Sequence, residues 1–138
     1  MALPAIEQKI WTYKFPFLPD LDLTENKRKA LSLHYREYSK HSTDSREAWG
    51  WAFKEKRIPS FYPIDGRIRI DFTVYFESWA KAFDPDNTAL AFKPAVDALV
   101  DIGVIKKDSG KYVSRISYGV EIDKNYPQRT TLTITREE

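Results

Sequence analysis

The chain has 138 residues, 42% of them hydrophobic, with 22 Lys and Arg against 20 Asp and Glu and no cysteine. This length predicts one domain over residues 1–138 that buries roughly two-thirds of its unfolded surface without staples, and the missing thiol excludes disulfides, thiolate zinc sites and cysteine nucleophiles. There is no run of about 18 apolar residues and no charged-then-apolar leader, so the expectation is a soluble cytoplasmic protein without a membrane partner. The net charge of +2 names no partner by itself, but Thr24 to Arg57 holds nine Lys or Arg against five acidic residues. That basic third suits contact with phosphates, or reads more plainly as solvated helices of mixed charge.

In chain order, Lys9 to Phe15 sets Trp11, Tyr13 and Phe15 against Ile10, Thr12 and Lys14 and predicts a strand, ended by Phe15-Pro16-Phe17-Leu18-Pro19. A polar lead from Leu23 to Lys29 opens a helix over Ala30 to Lys40 that carries Leu31, Tyr35 and Tyr38. Asp44 and Glu47 have capping-box spacing and predict the start of a second helix, with Trp49, Ala52 and Phe53 on its core side. His34 and His41, seven apart, lack further ligands and read as surface or packing residues. Pro59, Pro63 and Gly66 predict a loop in which Phe61 and Tyr62 pack, ahead of serving as a base-stacking platform. Arg67 to Phe76 is the clearest strand, with Ile68, Ile70, Phe72, Val74 and Phe76 on one face.

The stretch from Phe83 to Asp108 carries the chemistry. Asp84 and Asp86 flank Pro85, a spacing that sends both carboxylates to one side of an extended backbone, and hard cations such as Mg²⁺ take carboxylate oxygens. The same Asp-Pro-Asp-Asn also serves as a turn or helix N-cap. Val96, Leu99, Val100 and Gly103 fall at i, i+3, i+4 and i+7 and predict a helix that Gly103 ends, with Lys93, Asp97 and Asp101 opposite. If the helix runs unbroken from Asn87, Lys93 stands above Asp86 on one face; Pro94 either kinks it or starts a second helix. A loop after Val104-Ile105 then has the length to swing Asp108 back toward Asp84 and Asp86. Beyond Ser109-Gly110, Lys111 to Ile122 reads as a strand that Gly119 kinks or bulges, and Thr130 to Arg136 as a last strand. The predicted fold is a single α+β domain, one mixed β-sheet flanked by helices in the order β-α-α-β-α-β-β.

Asp-x-Asp-Asn, a lysine, Asp97-Ala98-Leu99, Gly103 with apolar residues after it, and then an acid resemble the RusA family of Holliday junction resolvases, endonucleases of phages and prophages. The resemblance implies a RusA-like fold and a metal-dependent endodeoxyribonuclease that resolves four-way junctions by paired phosphodiester cuts. It implies that Asp84, Asp86 and Asp108 hold Mg²⁺, or Mn²⁺ in its place, and that Lys93 assists catalysis. It puts Asn26, Lys27, Arg28 and Asn87 against DNA, where Asn26 and Arg28 read equally as capping and solvated residues, and it implies a homodimer acting on branched DNA in a bacterial host. The sequence departs from the family at three points: Lys93 comes seven residues after Asp86 rather than four, Lys107 stands where an aspartate is usual, and Phe83 where an arginine is. Lys107 and Phe83 favour a second reading, a non-catalytic phage DNA-binding or accessory protein of the same fold; a third is a plain structural domain whose acids cap the helix and pair with Lys93.

Overall fold

Strand β2 (Ile68–Phe76) is the centre of the molecule. A computed structural model of the chain describes residues 9–19, 35–61, 67–79, 82 and 85–137. In it, every second residue of β2 is buried, as its alternation predicts: Ile68, Ile70, Phe72, Val74 and Phe76 are each at most 4% exposed. The chain then forms helix α2 (Pro85–Asp101) and returns as β3 (Val113–Ile122), parallel to β2. Strand β4 (Arg129–Arg136) lies antiparallel on the other side of β2, and β1 (Ile10–Phe15) lies antiparallel outside β4. The result is a mixed four-stranded sheet in the order β1-β4-β2-β3.

Helix α1 (Tyr35–Glu55) and α2 cover one face of the sheet. Phe92 of α2 stacks on Phe72 of β2 with ring centroids 4.4 Å apart, and Phe15 of β1 meets Trp49 and Phe53 of α1 edge-on at 5.4 and 5.5 Å. Each such side chain, fully buried, contributes roughly 1.5–3 kcal/mol by leaving water. The opposite face carries Thr12, Thr133, Asp71 and Ser117 in one row across the four strands, and it is polar and partly exposed.

Three expectations need correction. The helix expected to end at Lys40 and the one expected to begin at Asp44 are one continuous helix from Tyr35 to Glu55; residues 30–34 lie outside the described residues. No Gly or Pro stands between Lys40 and Arg46 to break it, and Ser45, Trp49 and Phe53 form one buried stripe at i, i+4 and i+8. Asp44 is therefore a mid-helix surface residue rather than a cap, and the described order is β-α-β-α-β-β. Pro94 neither starts nor splits a helix: α2 runs through it, and Pro94 is buried. Its ring leaves the Leu90 carbonyl without an i+4 donor, a cost that the packing of Phe92, Ala95, Val96 and Leu99 offsets. Gly119 pairs regularly with Thr73, and the irregularity in β3 lies instead opposite Ile68 and Arg69, where Ser114 is the extra residue.

Candidate functional site

Helix α2 starts at Pro85, a residue suited to the first helical position because it has no N–H to leave unpaired. Asp86 and Asn87 follow in the first turn, with their side chains outside the described residues; Asp84, Asn26, Lys27 and Arg28 also lie outside them. Because α2 is continuous, the positions of Asp86 and Lys93, seven residues apart, fall on one stripe about 10 Å apart along the axis.

Gly103 ends α2 as its position predicts. It takes φ 81°, its N–H bonds to the Val100 carbonyl at 3.1 Å, and the Val104 N–H reaches the Leu99 carbonyl at 3.0 Å. These two bonds make a Schellman cap, which requires the left-handed conformation that glycine adopts without strain. Val104 and Ile105 are buried, and the Phe61 N–H holds the Val104 carbonyl at 2.8 Å, so the chain is pinned as it turns back. The turn carries Asp108 to the middle of α2. There the Lys93 Nζ donates to Asp108 Oδ2 at 3.3 Å and to Asp97 Oδ1 at 3.0 Å.

Lys93, Asp97 and Asp108 thus form one solvent-facing cluster, their side chains 59%, 29% and 44% exposed. Partial desolvation pulls the Lys93 pKa down, but the hydrogen bond and charge of Asp97, and then those of Asp108, outweigh it and hold the ammonium above the usual lysine range. Tyr118, stacked on Phe72 and Phe92 beneath the cluster, has its phenol pushed up by burial, partly offset by the charge of Lys93.

Of the residues singled out in the sequence, the structure joins Lys93 with Asp108. The Asp108 carboxylate is at Lys93 level, some two helical turns beyond Asp86. Among the described residues no group of three or more His, Cys, Asp or Glu gathers to hold a metal. Asp97 and Asp108 supply hard oxygen donors of the kind Mg²⁺ takes, and the Lys93 ammonium now bridges them. Asp97, which the sequence places on the Lys93 face at i+4 but to which it assigns no site role, is the third member of the cluster. Phe61 packs in the core, edge-on to Trp11 at 4.8 Å, as expected; Tyr62 and His34 lie outside the described residues, and His41 is half-buried on α1.

Two further ionic groups lie outside this cluster. Arg46 of α1 grips Asp101 of α2 through Nε and Nη2, which lowers the Asp101 pKa chiefly through that hydrogen bond and ties the two helices together. On the open sheet face Asp71 accepts from Arg69 Nε at 3.0 and 3.1 Å and from the Ser117 hydroxyl. Among the described residues no helix is long and apolar enough to cross a membrane. Compared with protein-family models and with curated proteins, the chain matches none.

Proposed function

We propose that this chain is a metal-dependent endodeoxyribonuclease with a RusA-like fold, cutting branched DNA and resolving four-way junctions as a homodimer. The observation that carries the reading is the Lys93–Asp97–Asp108 cluster on the stripe of α2 that begins at Asp86. A cation beside two carboxylates, on a rigid helix and the turn that follows it, is a set of groups that phosphodiester hydrolysis uses. Asp84 and Asp86 at the start of α2 and Asp108 beside Lys93 would hold one or two Mg²⁺, or Mn²⁺, ions, which would supply a nucleophilic water and charge neutralisation at the phosphate. Lys93, kept protonated by its two acidic neighbours, is the group to meet the scissile phosphate or the leaving oxygen. Asn26, Lys27, Arg28 and Asn87 contact the DNA flanks in this reading, and the protein works in the cytoplasm of a bacterium that carries a phage or prophage.

The test is cleavage of an end-labelled four-way junction and its matched duplex, with Mg²⁺ and with chelator, by the wild type and Asp86→Asn. Symmetric cuts confined to the junction, dependent on the ion and on Asp86, support the reading; normal cutting by Asp86→Asn sinks the site assignment. One observation favours the second reading, a non-catalytic DNA-binding or accessory protein. Asp108 is already neutralised by Lys93, and Lys107 stands beside it in place of a second acid. Junction binding without cuts in any divalent ion is its expected outcome.

A further inference from the structure

At the end of the sheet from which β2 leaves for α2, a second surface has the makings of a ligand site. A groove of about 530 Å³ is lined by Lys14, Pro16, Tyr126, Pro127, Gln128 and Arg129, a size typical of small-ligand clefts. Its walls come from the end of β1 and from the loop between β3 and β4, and that loop begins where the Asp123 N–H bonds to the Phe76 carbonyl at 2.9 Å. The groove is therefore at the same sheet end as the last residue of β2.

Three features give it a chemistry. The loop is held in shape: Asp123 accepts from the Asn125 N–H at 3.0 Å and from Arg129 Nη2 at 2.9 Å, and the Arg129 guanidinium lies over the Tyr75 ring at 4.1 Å. Pro16 is fixed on the other side, because the Thr130 hydroxyl donates to the neighbouring Phe17 carbonyl at 2.7 Å. Onto this rigid frame the chain mounts Tyr126 with 64% of its surface exposed, its ring 5.6 Å from the same guanidinium. A buried packing role does not explain so exposed a ring. Finally, among the described residues the groove lining has two cations and no acid; Asp123 balances Arg129, while the Lys14 side chain makes no hydrogen bond or ion pair with a described residue.

A flat aromatic face with one edge against a guanidinium, two proline walls and the Lys14 ammonium complement a base and its phosphate together. We infer that this groove binds an unpaired nucleotide of a DNA strand, stacking its base on Tyr126 and holding its phosphate with Lys14. The inference deepens the proposed function, since it rests on DNA as the partner, but it invokes no metal and none of the acids.

Binding of a fluorescein-labelled oligo-dT of about a dozen nucleotides, within the usual span of single-strand sites, tests it by anisotropy. The full chain is used, in chelator, so that cutting plays no part. Tyr126→Ala is expected to weaken binding on the order of tenfold, the loss of one stacked base, and Tyr126→Phe to leave it within about twofold, since a phenyl ring still stacks. Lys14→Gln is expected to lower the slope of log K against log salt by about 0.7, one single-strand phosphate contact. A strand of the same length with abasic sites should bind wild type and Tyr126→Ala alike. Equal affinity of Tyr126→Ala and wild type for oligo-dT, with unchanged circular dichroism, overturns the inference, as does the absence of single-strand binding by the wild type. Tyr126-dependent binding alongside failed junction cleavage would remove the nuclease reading and leave the groove standing; junction cleavage with Tyr126-independent binding would do the reverse.

Discussion

Replacing Lys93 by Met separates the two jobs its ammonium does, balancing two carboxylates and facing solvent. The Asp97 and Asp108 oxygens each lie within 3.3 Å of one Nζ, so they stand no more than about 6 Å apart. The repulsion between the two carboxylates, about 0.7 kcal/mol at water's dielectric constant, is present with and without the ammonium, so the variant loses only the two attractions that offset it. Exposed ion pairs of this kind contribute about 0.2–1 kcal/mol each. The variant should therefore lose about 0.5–2 kcal/mol, roughly 2–8 °C in Tm for a chain of this length. Millimolar Mg²⁺ should return most of that loss, because a divalent ion can replace the missing charge between the two acids. Differential scanning calorimetry of wild type and Lys93→Met, each with and without Mg²⁺, reads all four values. If Mg²⁺ raises the variant's Tm no more than the wild type's, the two carboxylates do not face each other as described. A loss above about 4 kcal/mol would instead make Lys93 a core residue, against its exposure.

Phe92→Ala removes a fully buried ring stacked between Phe72 and Tyr118 and should cost about 3–5 kcal/mol in urea unfolding; a cost near 1 kcal/mol would mean that α2 is not seated on β2. Gly103→Ala places a side chain at φ 81° and should cost about 1–2 kcal/mol in the same assay, whereas no loss would contradict the left-handed cap. The Lys93 pKa is raised on folding, so its contribution is complete below the unfolded lysine value and fades as pH rises through the folded one. Wild type should accordingly lose more Tm than Lys93→Met in strongly alkaline buffer. Asp101 is the opposite case: its pKa is lowered, so the Arg46 tie is present above the unfolded aspartate value and lost as pH falls through the folded one. Asp101→Asn should flatten that acid limb, and an unchanged limb would show the tie to be energetically idle.

The parts legible in the sequence are those written in short-range periodicity. The alternation of Ile68, Ile70, Phe72, Val74 and Phe76 specified β2, and Gly103 marked the end of α2 one position past its last apolar turn. The merged helix α1 was harder, because Asp44 and Glu47 carry a capping signature that burial of Ser45, Trp49 and Phe53 on one stripe overrides. Pro94 left two courses open, a kinked helix or a second helix, and the continuity of α2 through it rules out the second. In the candidate site the pairing of Lys93 with Asp108 depends on how far the turn after Gly103 carries the chain, which spacing alone left open. The groove around Tyr126 was invisible to any local pattern, since Lys14 and Arg129 are distant in sequence and meet only through the pairing of β1 with β4.

That pairing also dictates an order of assembly. β2, α2 and β3 are consecutive and can close on one another as soon as they exist. β1, made before the other described strands, has no strand partner among the described residues except β4, with Ile10 opposite Thr135 and the Lys9 carbonyl held by the Arg136 N–H at 2.8 Å. On the ribosome β1 must wait, unpaired, until the chain from Pro16 to Arg136 has been made. A chain stopped before Arg129 would leave β1 without a partner and bare the long apolar edge of β2, the arrangement most prone to pair with a second chain.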